Sequence, residues 1–426
     1  MANIRNKSHL SIIICLFIVA SLFASIEFVY AAEETDSQRI EGKLNGKLVT
    51  NPIKKPIYAR MMFDIKLLKR KYPNIISYSY IGESAAGVKI PLVKLGNGPN
   101  KILITASIHA REYVVTSQVM TSIDVYSLAY ANNKKINGEN VKDILDNKVT
   151  YYFVPMVNPD GVAIATGRAT EMQKELAVKA VGENTYKDTF SDWKGNANAV
   201  NLNRNFPIQW SGGESQVESE HYRGESSASE PETKALMKLC NENDFTMILS
   251  AHTKGEVIYW DEPVTATIPG AKELADAIQR TTDYPLTVDT DYNSGFFEVW
   301  FRFMFNRPAA VIEMTPMEQD FHTANKNFNA SVWDNTKFLW LKVAEFAAIT
   351  NKYKIHFNDS EGKTATVSKN VTYGKPVGKL PSIKRDGYVF TGWYTKKSGG
   401  KKISASSIYQ NLKNQTVYAR WKKIIQ

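Results

Sequence analysis

Cysteine is almost missing from the 426 residues, with only two present. Cys15 lies in an N-terminal apolar run, so loss of that run leaves Cys240 alone, and a lone thiol excludes an internal disulfide. Cys15 lacks the small-residue surroundings of a lipid-attachment site, and Cys240, beside the apolar stretch Ala235 to Leu239, reads as packing. Histidine is also scarce, six in all, which narrows the ways a metal site can be assembled. Most of the chain lacks a positive excess. Residues 1–350 hold 37 Lys and Arg against 40 Asp and Glu, whereas residues 351–426 hold 16 against 3. A basic segment of that kind suits an anionic surface such as a cell-wall polymer rather than nucleic acid, or else serves as a solvated, solubilising face.

At the N-terminus Arg5, Lys7 and His9 precede an apolar run from Leu10 to Phe28, and Val29-Tyr30-Ala31 offers small or apolar residues where a signal peptidase cuts. The alternative is an uncleaved anchor. Glu27 inside the run and the alanine-rich exit favour cleavage, so residues 1–31 read as a signal peptide and the mature chain as secreted, with no stable membrane span.

The body of the chain, with 43% hydrophobic and 23% charged residues, has an ordinary globular composition. After a lead at 32–52, the spacing predicts a helix from Tyr58 to Tyr72 stopped by Pro73, a hairpin over 76–96 and a strand at 101–105. It further predicts a helix through about 112–131, a strand from 149 that runs into a turn at "NPDG", and long polar loops at 166–201 and 212–229. A strand ending at His252, a helix over 268–281, a buried strand in 307–316 and a final helix at 331–349 complete the region 53–350. Strands alternating with helices predict an α/β sheet between helical layers. From Tyr353 the texture changes to short strands, turns and aromatics, a separate β-rich module over 351–426, in which His356 is an exposed strand position.

"ASIHAREY" (106–113) puts His109 and Glu112 three apart where a buried strand gives out. Alone, this is a helix cap or half of a metal site. A catalytic zinc takes three protein ligands, mostly His and carboxylate, and His252 in "LSAHTKG" sits at another strand end.

With "NPDG" (158–161), "WKGNANAVNLNRNFP" (193–207), "SAHTKG" (250–255) and "AVIEMTP" (310–316) following in order, residues 53–349 resemble the zinc metallocarboxypeptidases of the carboxypeptidase A/B type. The resemblance implies a mixed central sheet and one zinc ion held by His109, Glu112 and His252, with bound water brought to a pKa of about 7. It implies that Glu313 takes the water's proton. The other reading of Glu313 is a buried salt bridge, but a lone carboxylate in "AAVIEM" is costly to bury without a purpose. Asn203 and Arg204 match the pair that grips a terminal carboxylate, a task suited to a guanidinium fork. Arg111 matches an accessory substrate-binding arginine, or is a surface salt bridge. Lys194 stands where animal members have an arginine that polarises the scissile carbonyl. That departure resembles bacterial members, including enzymes that cut the γ-D-glutamyl–diaminopimelate bond of cell-wall peptides. Tyr292 lies near the family's mobile tyrosine, one residue out of register. Glu298 falls at the base of the specificity pocket, where an acid would pair with a cationic side chain. The short lead of residues 32–52 leaves no room for the inhibitory pro-domain of animal members.

The tail, through "VTYGKPVGKLPSIKRDGYVFTGWYT" and "QTVYARW", resembles the internalin-type B-repeat modules of bacterial surface proteins, which implies a β-grasp-like fold and an adhesive or wall-retention role. The expectation is a secreted, wall-associated zinc carboxypeptidase acting on peptides, with a preference for basic side chains. The alternatives are a peptidoglycan stem-peptide hydrolase (a γ-D-glutamyl-diamino acid peptidase) and an inactive surface-binding protein.

Overall fold

A computed structural model describes residues 44–261, 268, 270–288, 294–349, 353–360, 367–372, 375–409, 411 and 414–424. The proposed signal peptide, most of the lead, and Tyr292 lie outside the described residues.

Eight strands form one mixed sheet: β1 (Ile76–Glu83), β2 (Lys89–Leu95), β3 (Asn100–Ala106), β4 (Val149–Val154), β5 (Phe245–His252), β6 (Val257–Asp261), β7 (Leu286–Val288) and β8 (Ala309–Glu313). Their spatial order is β1-β2-β4-β3-β5-β8-β6-β7. The central four, β4, β3, β5 and β8, run parallel. Parallel strands are buried on both faces, which is why "ILIT" and "MILSA" are continuous apolar or small runs rather than alternating ones.

Successive side chains point to opposite faces of a strand, and the two faces here meet different helices. Leu103, Tyr152, Phe245 and Ile248 share a core with α6 (Pro231–Glu242) and α8 (Phe297–Phe305), through Leu236, Phe297 and Trp300. Tyr151 faces the other way, where its hydroxyl donates to Trp340 O on α9 (Leu339–Ile349) at 2.7 Å. Helix α2 (Val114–Ala131) covers that side and is buried from Val114 to Ala129, which explains why its sequence carries almost no polar stripe. The leading helix α1 spans Tyr58–Lys71 and stops before Pro73, as the spacing predicts.

The structure departs from the sequence reading in three places. "NPDG" does not make a turn but opens a short helix α3 (Pro159–Ala165), with Asn158 capping Gly161 N at 2.9 Å and Pro159 in the first turn. The polar stretch after Thr166 is not simply loop: it holds α4 (Glu171–Val181), started by a Thr170/Gln173 capping box, and α5 (Glu183–Thr189), whereas α7 (Ala271–Thr282) forms where the spacing predicts a helix. The final helix is broken, with a wide turn at Asn329–Trp333 and a regular helix only from Leu339. Among the described residues no helix is long and apolar enough to cross a membrane.

The C-terminal strands β9 (Tyr353–Asn358), β10 (Val367–Val371), β11 (Tyr388–Tyr394), β12 (Lys402–Ile403) and β13 (Gln415–Lys423) make a separate five-stranded sheet in the order β10-β9-β13-β11-β12. Its own core gathers Ile355, Phe357, Trp393 and Val417 on one face. Lys375 and Arg307 both pair with Asp244, which links this sheet to the turn before β5.

Candidate metal and substrate site

In an open α/β sheet, ligands bind beyond the carboxyl ends of parallel strands. Strands β3, β5 and β8 end side by side, with Ala106 opposite Ala251 and His252 opposite Glu313. After Ala106 the chain turns sharply at Ser107, whose φ of 50° is left-handed, and reaches His109, Arg111 and Glu112 within one short helical turn. Asn158 braces this turn by donating from its amide to Ile108 O at 3.3 Å and to Gly195 O at 2.9 Å. Gly161 has to be glycine, because a Cβ there would lie 2.4 Å from Gly195 O and 2.7 Å from the Ala110 Cβ. The motifs "NPDG" and "WKGN" therefore scaffold the loop that carries His109.

His109, Glu112 and His252 are all buried, and each offers a ligand atom within 4.8 Å of the other two. Glu112 Oε1 lies 2.8 Å from His109 Nδ1, and Oε2 lies 3.1 Å from His252 Nδ1. Thr253 N donates to the same Oε2 at 3.2 Å. Burial drives the His109 pKa down to about 3 despite Glu112 beside it, so the ring is neutral and carries one N–H. That hydrogen goes from Nε2 to Asn201 Oδ1 at 3.2 Å, because the Asn201 amide nitrogen is already donating to Glu220 O at 2.8 Å. Nδ1 is left as a bare lone pair facing a carboxylate oxygen, an arrangement that fits a cation between them. Burial disfavours charge on His252, but Glu112, Glu313 and Glu298 outweigh it and raise its pKa to about 9. The electrostatics of the pocket call for positive charge.

Glu313 projects at the end of β8, and its Oε2 is buried with no hydrogen-bond partner. Burial first, then Glu112 and Glu298, lift its pKa to about 8 against the pull of His252 and Lys194. Such a carboxyl is poised to take up a proton near neutrality. Lys194 is mostly buried, which lowers its pKa, while Glu112 and Glu220 oppose that shift.

Asn203 is buried and held from both sides: its Oδ1 accepts from Phe297 N at 2.8 Å, and its Nδ2 donates to Glu298 Oε2 at 3.4 Å. Arg204 donates to Asn203 O at 2.9 Å, stacks on Phe296 at 4.0 Å, and lies 3.3 Å from His221 Nδ1. Glu298, in the first turn of α8, is 2% exposed, and its Oε1 has no partner. Arg111 meets Glu220 Oε2 at 2.7 Å and donates to Asp192 O at 3.1 Å.

The sequence reading did not assign Asn201, Glu220 or His221. Asn201 was visible inside "AVNLNRN", two residues before Asn203, but only the fold puts it behind His109. Glu220 and His221 lie in the polar loop 212–229, where nothing in the local pattern marks them.

Such a centre defines the class: a protein built to hold one divalent cation between two imidazoles and a carboxylate. The zinc carboxypeptidase family matches residues 61–332, and the Listeria-Bacteroides repeat domain matches residues 353–420. The chain is 32% identical over 270 residues to gamma-D-glutamyl-L-diamino acid endopeptidase 1 of Lysinibacillus sphaericus, covering 60% of this chain and 65% of that protein, a little under two thirds of its length. It is 30% identical over 132 residues to a zinc carboxypeptidase of Saccharothrix mutabilis subsp. capreolus, covering 29% of each. In fold it resembles bovine thrombin-activatable fibrinolysis inhibitor, solved in complex with tick carboxypeptidase inhibitor, with a TM-score of 0.55 at 18% identity over 70% of this chain and 99% of that one. The chain belongs to the zinc carboxypeptidase family. The buried His-Glu-His cluster fits the zinc that the family's name implies.

Proposed function

We propose that this protein is a secreted zinc metallocarboxypeptidase that releases C-terminal residues bearing a cationic side chain, with residues 53–350 as the catalytic domain and 351–426 as a wall-retention module. The observation that carries the preference is Glu298, a buried carboxylate with one unpartnered oxygen, bonded to Asn203. In this reading His109, Glu112 and His252 hold zinc, which supplies a Lewis acid and acidifies water when bound. Glu313 takes the proton from the attacking water and returns it to the leaving amine. Lys194 offers its ammonium to the developing oxyanion, an effect of about 3 kcal/mol in related settings. Asn203 and Arg204 hold the terminal carboxylate and Glu298 the side-chain cation, and Tyr292 is assigned to substrate binding on the sequence resemblance alone.

A second reading concerns the acyl side of the cut bond. The likeness to a γ-D-glutamyl-L-diamino acid endopeptidase favours a γ-linked glutamyl there, with a diamino acid as the leaving residue. Lys194 and the basic module agree with a cell-wall peptide and an anionic wall polymer as partners. An inactive surface-binding protein is disfavoured by the intact set His109, Glu112, His252 and Glu313.

The test is mass spectrometry of products from a peptide mixture and from purified muropeptides. Stepwise loss of C-terminal Lys or Arg supports the first reading, and cleavage of muropeptides alone supports the second. Hydrolysis that survives a zinc chelator, or survives Glu313→Gln, sinks both. For the module, deletion of 351–426 should shift the enzyme from wall to medium at physiological salt, and an unchanged partition refutes retention.

A further inference from the structure

The side chain of Glu220 sits where a substrate anion could sit. Its Oε2 is 2.7 Å from Arg111 Nη2, and its Oε1 is 3.8 Å from Lys194 Nζ and 3.7 Å from His221 Nε2. The three groups differ in how firmly they are held. The side chains of Arg111 and Lys194 are 16% and 13% exposed, and that of Glu220 is 48% exposed. Arg111 is further fixed by its bond to Asp192 O and by the Phe321 ring, 4.9 Å from its guanidinium. The backbone of Glu220 is pinned by Asn201, so its carboxylate can swing into solvent through side-chain torsions alone, without loop movement. The cations are built in and the anion is removable.

Arg111 is also incompletely used. Its Nε is buried with no acceptor, while Glu220 engages Nη2. A guanidinium binds a carboxylate best through two parallel N–H donors, and an edge made of Nε and Nη2 is one such fork. A carboxylate carried by substrate could satisfy both. An adjoining cleft of about 200 Å³, lined by Arg111, Lys194, Glu220, Trp193, Val181 and Val217, gives it room.

We infer that Arg111 and Lys194 form an acyl-side carboxylate subsite which Glu220 occupies until substrate displaces it. The substrate class follows from chemistry. When a glutamyl residue is joined through its γ-carbonyl, its α-carboxyl is free and lies a few bonds from the carbonyl under attack. In an α-linked peptide the main-chain group beside the scissile carbonyl is a neutral amide. The subsite therefore selects γ-linkage with a free α-carboxylate, and Glu220 sets the threshold by competing for the same cations. This inference rests on the γ-glutamyl reading above.

The experiment measures kcat and KM of the zinc-loaded full chain on three N-acetylated dipeptides ending in L-lysine: N-acetyl-γ-D-glutamyl-L-lysine, its α-carboxamide, and α-linked N-acetyl-L-alanyl-L-lysine. Wild type should show a KM for the free acid about tenfold below that for the carboxamide. Glu220→Gln should lower KM for the free acid by about three- to tenfold more than it lowers KM for the carboxamide, while Arg111→Gln should erase the difference between the two. If both γ-linked peptides are cut with equal KM, or Glu220→Gln shifts both equally, the subsite is refuted while the γ-glutamyl reading stands. If only the α-linked peptide is cut, the γ-glutamyl reading falls and the subsite with it.

Discussion

Replacing Glu298 by Gln removes one charge from the floor of the site with little change in shape. The native carboxylate is 2% exposed, its Oε2 accepts one long bond from Asn203 at 3.4 Å, and Oε1 has no donor. A hydrogen bond to a charged group contributes about 1.5 to 3 kcal/mol, and truncating one partner of a buried charge pair costs about 2 to 5 kcal/mol. Taking about 3 kcal/mol, kcat/KM for a peptide ending in lysine should fall about a hundredfold. The charge of Glu298 also helps to raise the pKa values of Glu313 and His252, so its removal eases ionisation of Glu313 and alters rates on every substrate. The informative quantity is therefore the ratio of kcat/KM for C-terminal Lys to that for C-terminal Leu, measured on matched acyl dipeptides with zinc content checked in both proteins. Wild type should favour Lys and Glu298→Gln should favour Leu. A wild-type preference for Leu, or a ratio that moves by less than about threefold, would refute the assignment of Glu298 to the cationic side chain.

Asn201→Ala leaves the His109 Nε2 hydrogen without its acceptor, and zinc affinity measured against a competing chelator should drop about 10- to 100-fold; an unchanged affinity removes Asn201 from the support of the metal. Glu232, buried beside Asp160 and Glu230, has its pKa raised from 4.5 to about 8, chiefly by burial. The folded state thus keeps a proton that the unfolded chain releases above 4.5, so this group's contribution to stability is lost as pH rises from 4.5 through 8, by at most about 5 kcal/mol. Glu232→Gln should flatten the fall in urea midpoint across that range, and parallel pH profiles would contradict the account. Trp300 is 2% exposed and packs on Phe206, Phe297 and Phe305, so Trp300→Ala should cost about 3 to 5 kcal/mol of unfolding free energy; a loss under about 1 kcal/mol would show that this core is not tightly packed.

The amino-acid sequence by itself determined the elements whose signal is local. Apolar runs at 101–105 and 245–251 are short and bounded as buried strands are, Pro73 closes the helix whose periodic stripe precedes it, and the basic, aromatic texture after Tyr353 marks a second sheet. It also pointed to His109, Glu112 and His252 as a candidate metal cluster, because the first two follow the end of one strand and His252 ends another, and parallel strands bring their carboxyl ends together. The helix at 183–189 escaped because it is too polar to show an apolar stripe, and that at 171–181 because its stripe, Leu176, Ala177, Ala180 and Val181, spans less than two turns. What only the tertiary structure decided is the set of contacts between residues far apart in the chain: Asn201 behind His109, 92 positions away, and Glu220 against Arg111, 109 positions away. Neither leaves a periodic trace, since one hydrogen bond or ion pair constrains a single side chain and not a repeating face. Their partners are chosen when β3, the turn after Gly195 and the loop at 212–229 close over the same strand ends, and that closure is a property of the packed sheet.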